Sequence, residues 1–244
     1  MTAAQPPVRP WLRRGAGGLT PLHLAKADLP PSLGAAYAAL AREPGPWGGW
    51  KMGGSNHTSR AAFGVTVPYY GALAADEILA EPRVAPGRPL PEVKGEVEVA
   101  LRIDASGTGH DAWAVALEMP ASAVQDLAAL GVVALVADRC AAGVLVLGPV
   151  QAGPLPGPDA RFGQHVNGVP RAEAGYEALT DPPAALLAQF LAMARGHGAP
   201  VAPGHWVATG GITPCLAYAM GDRVAVTLDG QAVIELVIGT AADG

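Results

Sequence analysis

The chain has 244 residues, half of them apolar and only 15% charged, with a formal net charge of −5. That length can bury one substantial core, and an acidic balance without any basic block excludes the electrostatic footprint of a nucleic-acid binder. The most apolar stretch, Leu127 to Leu147, is interrupted by Asp138 and Arg139, which excludes a membrane span and makes it a buried core segment.

Arg9, Arg13 and Arg14 open the chain without the apolar core or cleavage site of a secretory signal, so a cytoplasmic location is expected. In that setting Cys140 and Cys215 are expected to be free thiols. Residues 1–46 are dense in Pro and Gly and form an N-terminal arm ahead of one domain over 47–244. Within the arm, SLGAAYAALAREPG predicts a short helix, with Ser32 as cap and Pro44 as stop.

From Gly49 onward the punctuation predicts short strands. Asn167-Gly168 and Asp229-Gly230 tolerate the positive φ angles of tight hairpins, and the second predicts an antiparallel pair at the C-terminus. Between them DPPAALLAQFLAMARGHG predicts a helix, with Asp181 as cap, prolines in the first turn and Gly196 or Gly198 at the end. Its stripe of Leu186, Leu187, Phe190, Leu191 and Ala194 predicts core packing. Strands and helices do not alternate, so the expected class is α+β, mainly β, rather than a doubly wound sheet.

The chemistry concentrates in two strand-like segments. In KGEVEVALRI, alternation puts Val97, Val99 and Leu101 on one face and Glu96, Glu98 and Ala100 on the other. In DAWAVALEMP it puts Trp113, Val115 and Leu117 on one face and Ala114, Ala116 and Glu118 on the other. Like charges side by side repel, and water on an exposed face or a shared cation would each relieve them. Three carboxylates without imidazole or thiolate suit Mg²⁺ or Mn²⁺ rather than zinc. Periodicity does not say whether the two strands meet.

Six ordered motifs, GWKMGGSNHTSRAAFGV, VPYYGALAAD, KGEVEVAL, VALEMPAS, ADRCAAGVLVLG and VATGGITPCLAYAMGD, resemble the fumarylacetoacetate hydrolase superfamily. Within it, they are most similar to the 2-keto-4-pentenoate hydratase and 4-oxalocrotonate decarboxylase branch, from about Trp47 to the C-terminus. The resemblance implies a mixed β-roll or flattened barrel with peripheral helices, a divalent metal, and usually a homo-oligomer.

It implies metal ligation by Glu96, Glu98 and Glu118, and catalytic roles for Lys51 as a proton carrier and Asp76 as a positioner of Lys51 or water. Thr209, Gly210, Gly211 and Thr213 would approach a substrate carboxylate, while His57 and Arg60 would attract an anionic tail. A nearby cation and partial burial would bring Lys51 closer to neutral titration.

The implied activity is hydration of a 2-oxo or 2-hydroxydienoic acid. Decarboxylation and acylpyruvate-type C–C hydrolysis are the enzyme alternatives, and a non-catalytic metal or ligand binder is the alternative of another class. Two features depart from the pattern. Glu118 is followed by Met-Pro-Ala-Ser-Ala instead of an acidic and basic run, and the link from Glu98 is short, which points to an altered lid. Arg139 and Cys140 replace small polar residues in DRCAAG, which points to an altered cavity wall.

Overall fold

The computed structural model describes residues 22–80, 84–86 and 93–239; the three N-terminal arginines and half of the arm's prolines lie outside them. Thirteen strands and five α-helices follow in chain order. They are α1 (Leu33–Arg42), β1 (Trp47–Gly53), α2 (His57–Phe63), β2 (Tyr69–Ala74), β3 (Ile78–Ala80), β4 (Val84–Pro86), β5 (Val93–Ile103) and β6 (His110–Met119). Then come α3 (Leu127–Leu130), α4 (Val132–Ala137), β7 (Val144–Leu147), β8 (Phe162–Val166), β9 (Val169–Ala174), α5 (Pro183–His197), β10 (Trp206–Ala208), β11 (Leu216–Tyr218), β12 (Arg223–Leu228) and β13 (Gln231–Gly239). The α+β class is as expected, and no described helix is long and apolar enough to cross a membrane.

The main sheet runs β2-β1-β10-β5-β6-β7-β3, with β11 added beside β5. Flat, its six inter-strand steps would separate β2 from β3 by about 29 Å. The turn Ala75–Glu77 joins those two outer strands directly, and four residue steps reach at most about 14 Å. The sheet therefore curls into a half-barrel. A second sheet, β4-β13-β12-β8-β9, carries both predicted hairpins, whose turn residues Asn167, Gly168, Asp229 and Gly230 all have positive φ.

The two faces of the main sheet differ in side-chain size. Val97, Val99, Leu101, Val115, Leu117 and Trp50 join the large core, into which α5 packs Leu186, Leu187, Phe190, Leu191 and Ala194. The opposite face is lined by Ala100, Ala114, Ala116 and Ala208, with Leu73, Leu145 and Leu147 filling it further along. Alanines there leave room for the charged groups described below.

Helix α1 starts as expected, with Ser32 Oγ accepting the Ala35 N–H at 3.2 Å. Helix α5 does not: Asp181 instead accepts from Gln189 Nε2 at 3.1 Å, and the cap position falls on Pro182. Pro182 and Pro183 have no N–H to offer Asp181. At the other end Gly198, with φ of 69°, closes the helix.

Candidate metal centre

Strands β5 and β6 pair antiparallel with Glu96 directly opposite Glu118, Glu98 opposite Ala116 and Ala100 opposite Ala114. Cross-strand partners share a face, so this register brings all three glutamates together. One carboxylate oxygen from each lies within 4.8 Å of the others. Glu98 and Glu118 are fully buried, and Glu96 is partly buried.

Lys51 reaches the same face along a row of paired residues: Lys51 opposite Ala208, Ala208 opposite Ala100, Ala100 opposite Ala114. Its Nζ donates to Glu118 Oε1 at 2.7 Å, with only 6% of the residue exposed. On the other flank the Gly210 N–H donates to Glu98 Oε2 at 2.7 Å. The remaining oxygens, Glu98 Oε1 and Glu118 Oε2, are buried and accept no hydrogen bond. Buried carboxylate oxygens left without a donor are costly, and two of them in one cluster fit the hard-oxygen donor set of a divalent cation.

The electrostatics agree. Burial, then the Glu118 charge, pushes Glu96 up to about 7. Burial, then Glu96 and Glu118, holds Glu98 well above the usual carboxylate range, and burial also raises Glu118. Burial works against the Lys51 ammonium, but the Glu118 charge and hydrogen bond, followed by Glu96 and Glu98, outweigh it and hold the charge in place. In the metal-free cluster the carboxylates thus favour the ammonium; a shift of Lys51 toward neutral titration is the expectation for the cation-bound site.

A cavity of about 820 Å³ opens beside Glu96. Lys51, Ser55, Asn56, Ser59, Lys94 and Gly211 border it at the glutamate side. Phe63, Tyr69, Leu127 and Leu135 supply apolar wall. The segment from Pro120 to Ala128 forms one side, tied down by the bridge of Leu22 to Val124. The wall thus follows the third glutamate, whereas the short Glu98–Glu118 link is the hairpin turn at the far end of β5 and β6. Cys140, Ala141 and Cys215 also border the cavity, and the thiols of Cys140 and Cys215 are free.

Several expected site residues take other places. Asp76 is exposed on the turn after β2, at the strand end opposite from Lys51, and does not border the cavity. Its neighbour Glu77 is the buried carboxylate, paired with Arg139 at 2.7 Å. His57 is exposed at the start of α2 and outside the cavity lining. Arg60 is committed to the Gly54 carbonyl at 2.7 Å and to Thr180 Oγ1 at 3.3 Å, so it braces a loop.

Thr209 Oγ1 donates to the Val99 carbonyl, and Thr213 Oγ1 accepts from the Val97 N–H. Neither borders the cavity; both lock the TGGITP loop onto β5. The loop does approach a carboxylate, but it is Glu98's, through Gly210. Gly211 stands over Glu96, where an added Cβ would lie 2.3 Å from Oε2.

Ser55, Asn56 and Ser59, in the same motif as His57 and Arg60 and not singled out in the sequence, are the ones that border the cavity. Asn56 caps α2 by accepting the Ser59 N–H at 2.7 Å, and an Asn three residues ahead of a Ser at a helix start was the available signal.

One mixed sheet thus curls into a half-barrel around three clustered carboxylates and a lysine. The comparisons give that fold its name. No family model and no curated relative matches the chain. Among solved structures it is similar to 4-oxalocrotonate decarboxylase from Pseudomonas putida G7 complexed with magnesium and adipate, with a TM-score of 0.77 and 20% identity over 90% of this chain and 91% of that one. Fumarylpyruvate hydrolase from Pseudomonas aeruginosa in complex with Mn²⁺ and pyruvate follows at TM-score 0.58 and 16% identity, covering 78% and 88%. The 5-carboxymethyl-2-hydroxymuconate delta-isomerase from Mycobacterium smegmatis matches at TM-score 0.54 and 16% identity, covering 81% and 80%. The chain has the fold of the fumarylacetoacetate hydrolase superfamily.

Proposed function

We propose that Glu96, Glu98 and Glu118 hold Mg²⁺ or Mn²⁺, and that the chain is an enzyme that decarboxylates a 2-oxo acid. The observation that carries this is the pair of buried, unpartnered oxygens on Glu98 and Glu118 beside a cavity of about 820 Å³. Likeness over nine-tenths of both chains to a magnesium-complexed decarboxylase supports the choice of reaction. When bound, the ion supplies Lewis acidity, which stabilises negative charge on the oxygen of an enolate.

The chain's own residues do the rest. Loss of CO₂ from a second carboxylate, placed β or vinylogously β to the 2-oxo group, breaks a C–C bond and leaves its electron pair in the enolate system. A proton must then reach carbon. Lys51 holds one on Nζ, fixed 2.7 Å from Glu118 Oε1, and is the proton donor in this reading. Phe63, Tyr69, Leu127 and Leu135 give the site an apolar wall. C–C hydrolysis would need a base for an attacking water, and no histidine borders the cavity among the described residues.

Hydration of a 2-hydroxydienoic acid is the second reading. It is favoured by the motif order and by a cavity wide enough for a water beside the substrate. Incubation with a panel of 2-oxo acids and Mg²⁺ separates the reactions. CO₂ release, abolished by a chelator and lowered about 10²–10⁴-fold in Lys51→Ala, supports decarboxylation. Water addition without CO₂ supports the hydratase. Metal binding without turnover on any substrate would make the chain a non-catalytic binder.

A further inference from the structure

Ser55 follows β1 and lies at the cavity edge. It is fully buried, yet its hydroxyl has no hydrogen-bond partner. Its backbone leaves it little freedom, because the Ser55 carbonyl accepts the Thr180 N–H at 2.9 Å and the next residue caps α2. The hydroxyl fills space that Gly210 vacates: a Cβ on Gly210 would fall 2.0 Å from Ser55 Oγ. Gly210 is the residue whose N–H holds Glu98. An unsatisfied hydroxyl is therefore packed against the glycine that holds Glu98, where a buried polar group without a partner lowers stability.

Several neighbouring side chains already hold partners within the protein. Lys51 is on Glu118, the Asn56 amide donates to the Gly211 carbonyl at 2.9 Å, Ser59 Oγ donates to the Asn56 carbonyl, and Thr209 is on Val99. A 2-oxo acid held at the glutamates brings a carboxylate with more acceptor sites than an ion alone would use. We infer that the Ser55 hydroxyl is a substrate-binding donor, contributing a hydrogen bond to the carboxylate of the bound 2-oxo acid. This rests on the function proposed above.

The test uses the full chain with Ser55→Ala, and Ser55→Cys as a second variant of the same shape with a weaker donor. Calorimetry reads Mg²⁺ affinity and then oxalate affinity at saturating Mg²⁺, and a thermal melt reads the metal-free fold. Expected are an unchanged or higher melting temperature, Mg²⁺ affinity within about twofold, and oxalate affinity lowered about tenfold or more in Ser55→Ala, with Ser55→Cys between. Oxalate affinity unchanged while Mg²⁺ still binds overturns the role of Ser55 and leaves the proposed function standing. A lowered melting temperature, or a loss of Mg²⁺ affinity, overturns it by making the hydroxyl structural or part of the cradle. A wild-type protein that binds neither Mg²⁺ nor oxalate overturns both readings.

Discussion

Two buried charge clusters sit on the half-barrel, and they are built in opposite ways. Arg139 and Glu77 meet as a fork, with Nη1 to Oε2 at 2.8 Å and Nη2 to Oε1 at 2.7 Å; the Ala74 N–H also donates to Glu77. The geometry is bidentate, and the charges of Glu43, Asp138 and Asp76 also bear on the guanidinium. The glutamate cluster sets three carboxylates against one lysine and leaves two oxygens without donors. A bidentate ion pair of that kind holds structure together, whereas three carboxylates converging on one lysine with open valences make a site prepared for something else.

The Arg139–Glu77 pair has a definite task in the fold. Arg139, Cys140 and Ala141 have φ of 51°, 58° and 54°, three consecutive non-glycine residues in the left-handed region. Such a turn is unfavourable for each residue, and it presents Cys140 and Ala141 to the cavity. The Glu77 fork clamps its first member, and Gly71 makes room, since a Cβ there would lie 1.9 Å from the Arg139 carbonyl oxygen. The wall of the cavity is thus held by charge, while its floor is strained by charge.

The largest expected effect breaks the clamp. Arg139→Ala leaves Glu77 buried without its counter-charge, and loss of one member of a buried pair costs about 3–5 kcal/mol. Chemical denaturation reads this as a lower midpoint at an unchanged slope. A loss below about 1 kcal/mol would mean that the two clusters do not differ as described.

The second effect is specific to the other cluster. Glu98→Gln keeps the shape and removes one charge of the surplus, so the metal-free protein should melt at the same temperature or higher. Wild type should gain about 2.7 kcal/mol when Mg²⁺ reaches a hundred times its Kd, and Glu98→Gln should lose most of that gain. The pH dependence sharpens the point. Glu96 is raised from 4.5 to about 7 in the folded chain, so the folded state binds more protons in that window. Metal-free stability should therefore fall as pH rises from about 4.5 to about 7. Added Mg²⁺ should flatten that slope; a metal-free melting temperature rising over this window would contradict the surplus of charge.

The unequal legibility of the two clusters has a physical cause. Alternation along a strand is local, so Glu96 and Glu98 share a face on sequence grounds alone, and the alanines beside Glu118 are visible in the same way. The hairpin turns are equally local, being two residues that accept positive φ. Register is not local: that Glu96 faces Glu118 depends on pairing across the β5–β6 turn, and Lys51 joins them only because β10, over 150 residues away, lies between β1 and β5. The TGGITP glycines were legible as a close approach to a carboxylate, but not whose. The cavity wall from Pro120 to Ala128 carries no pattern that marks it as a wall, and its tie to Leu22 is a contact across a hundred residues.

The smallest expected effect concerns a choice between neighbours in Ala75-Asp76-Glu77. A 3₁₀ turn rotates successive side chains by about 120°, so adjacent acids cannot both face inward. Here Glu77 takes the buried side and Asp76 the exposed one. Asp76→Ala should shift stability by no more than about 0.5 kcal/mol, as for exposed positions in general, and should leave kcat and KM unchanged. Glu77→Ala should behave like Arg139→Ala. A fall in kcat for Asp76→Ala at unchanged stability would return that carboxylate to the machinery around Lys51 and blur the line between the two clusters, because a group on the exposed side of the turn would then act on the cavity.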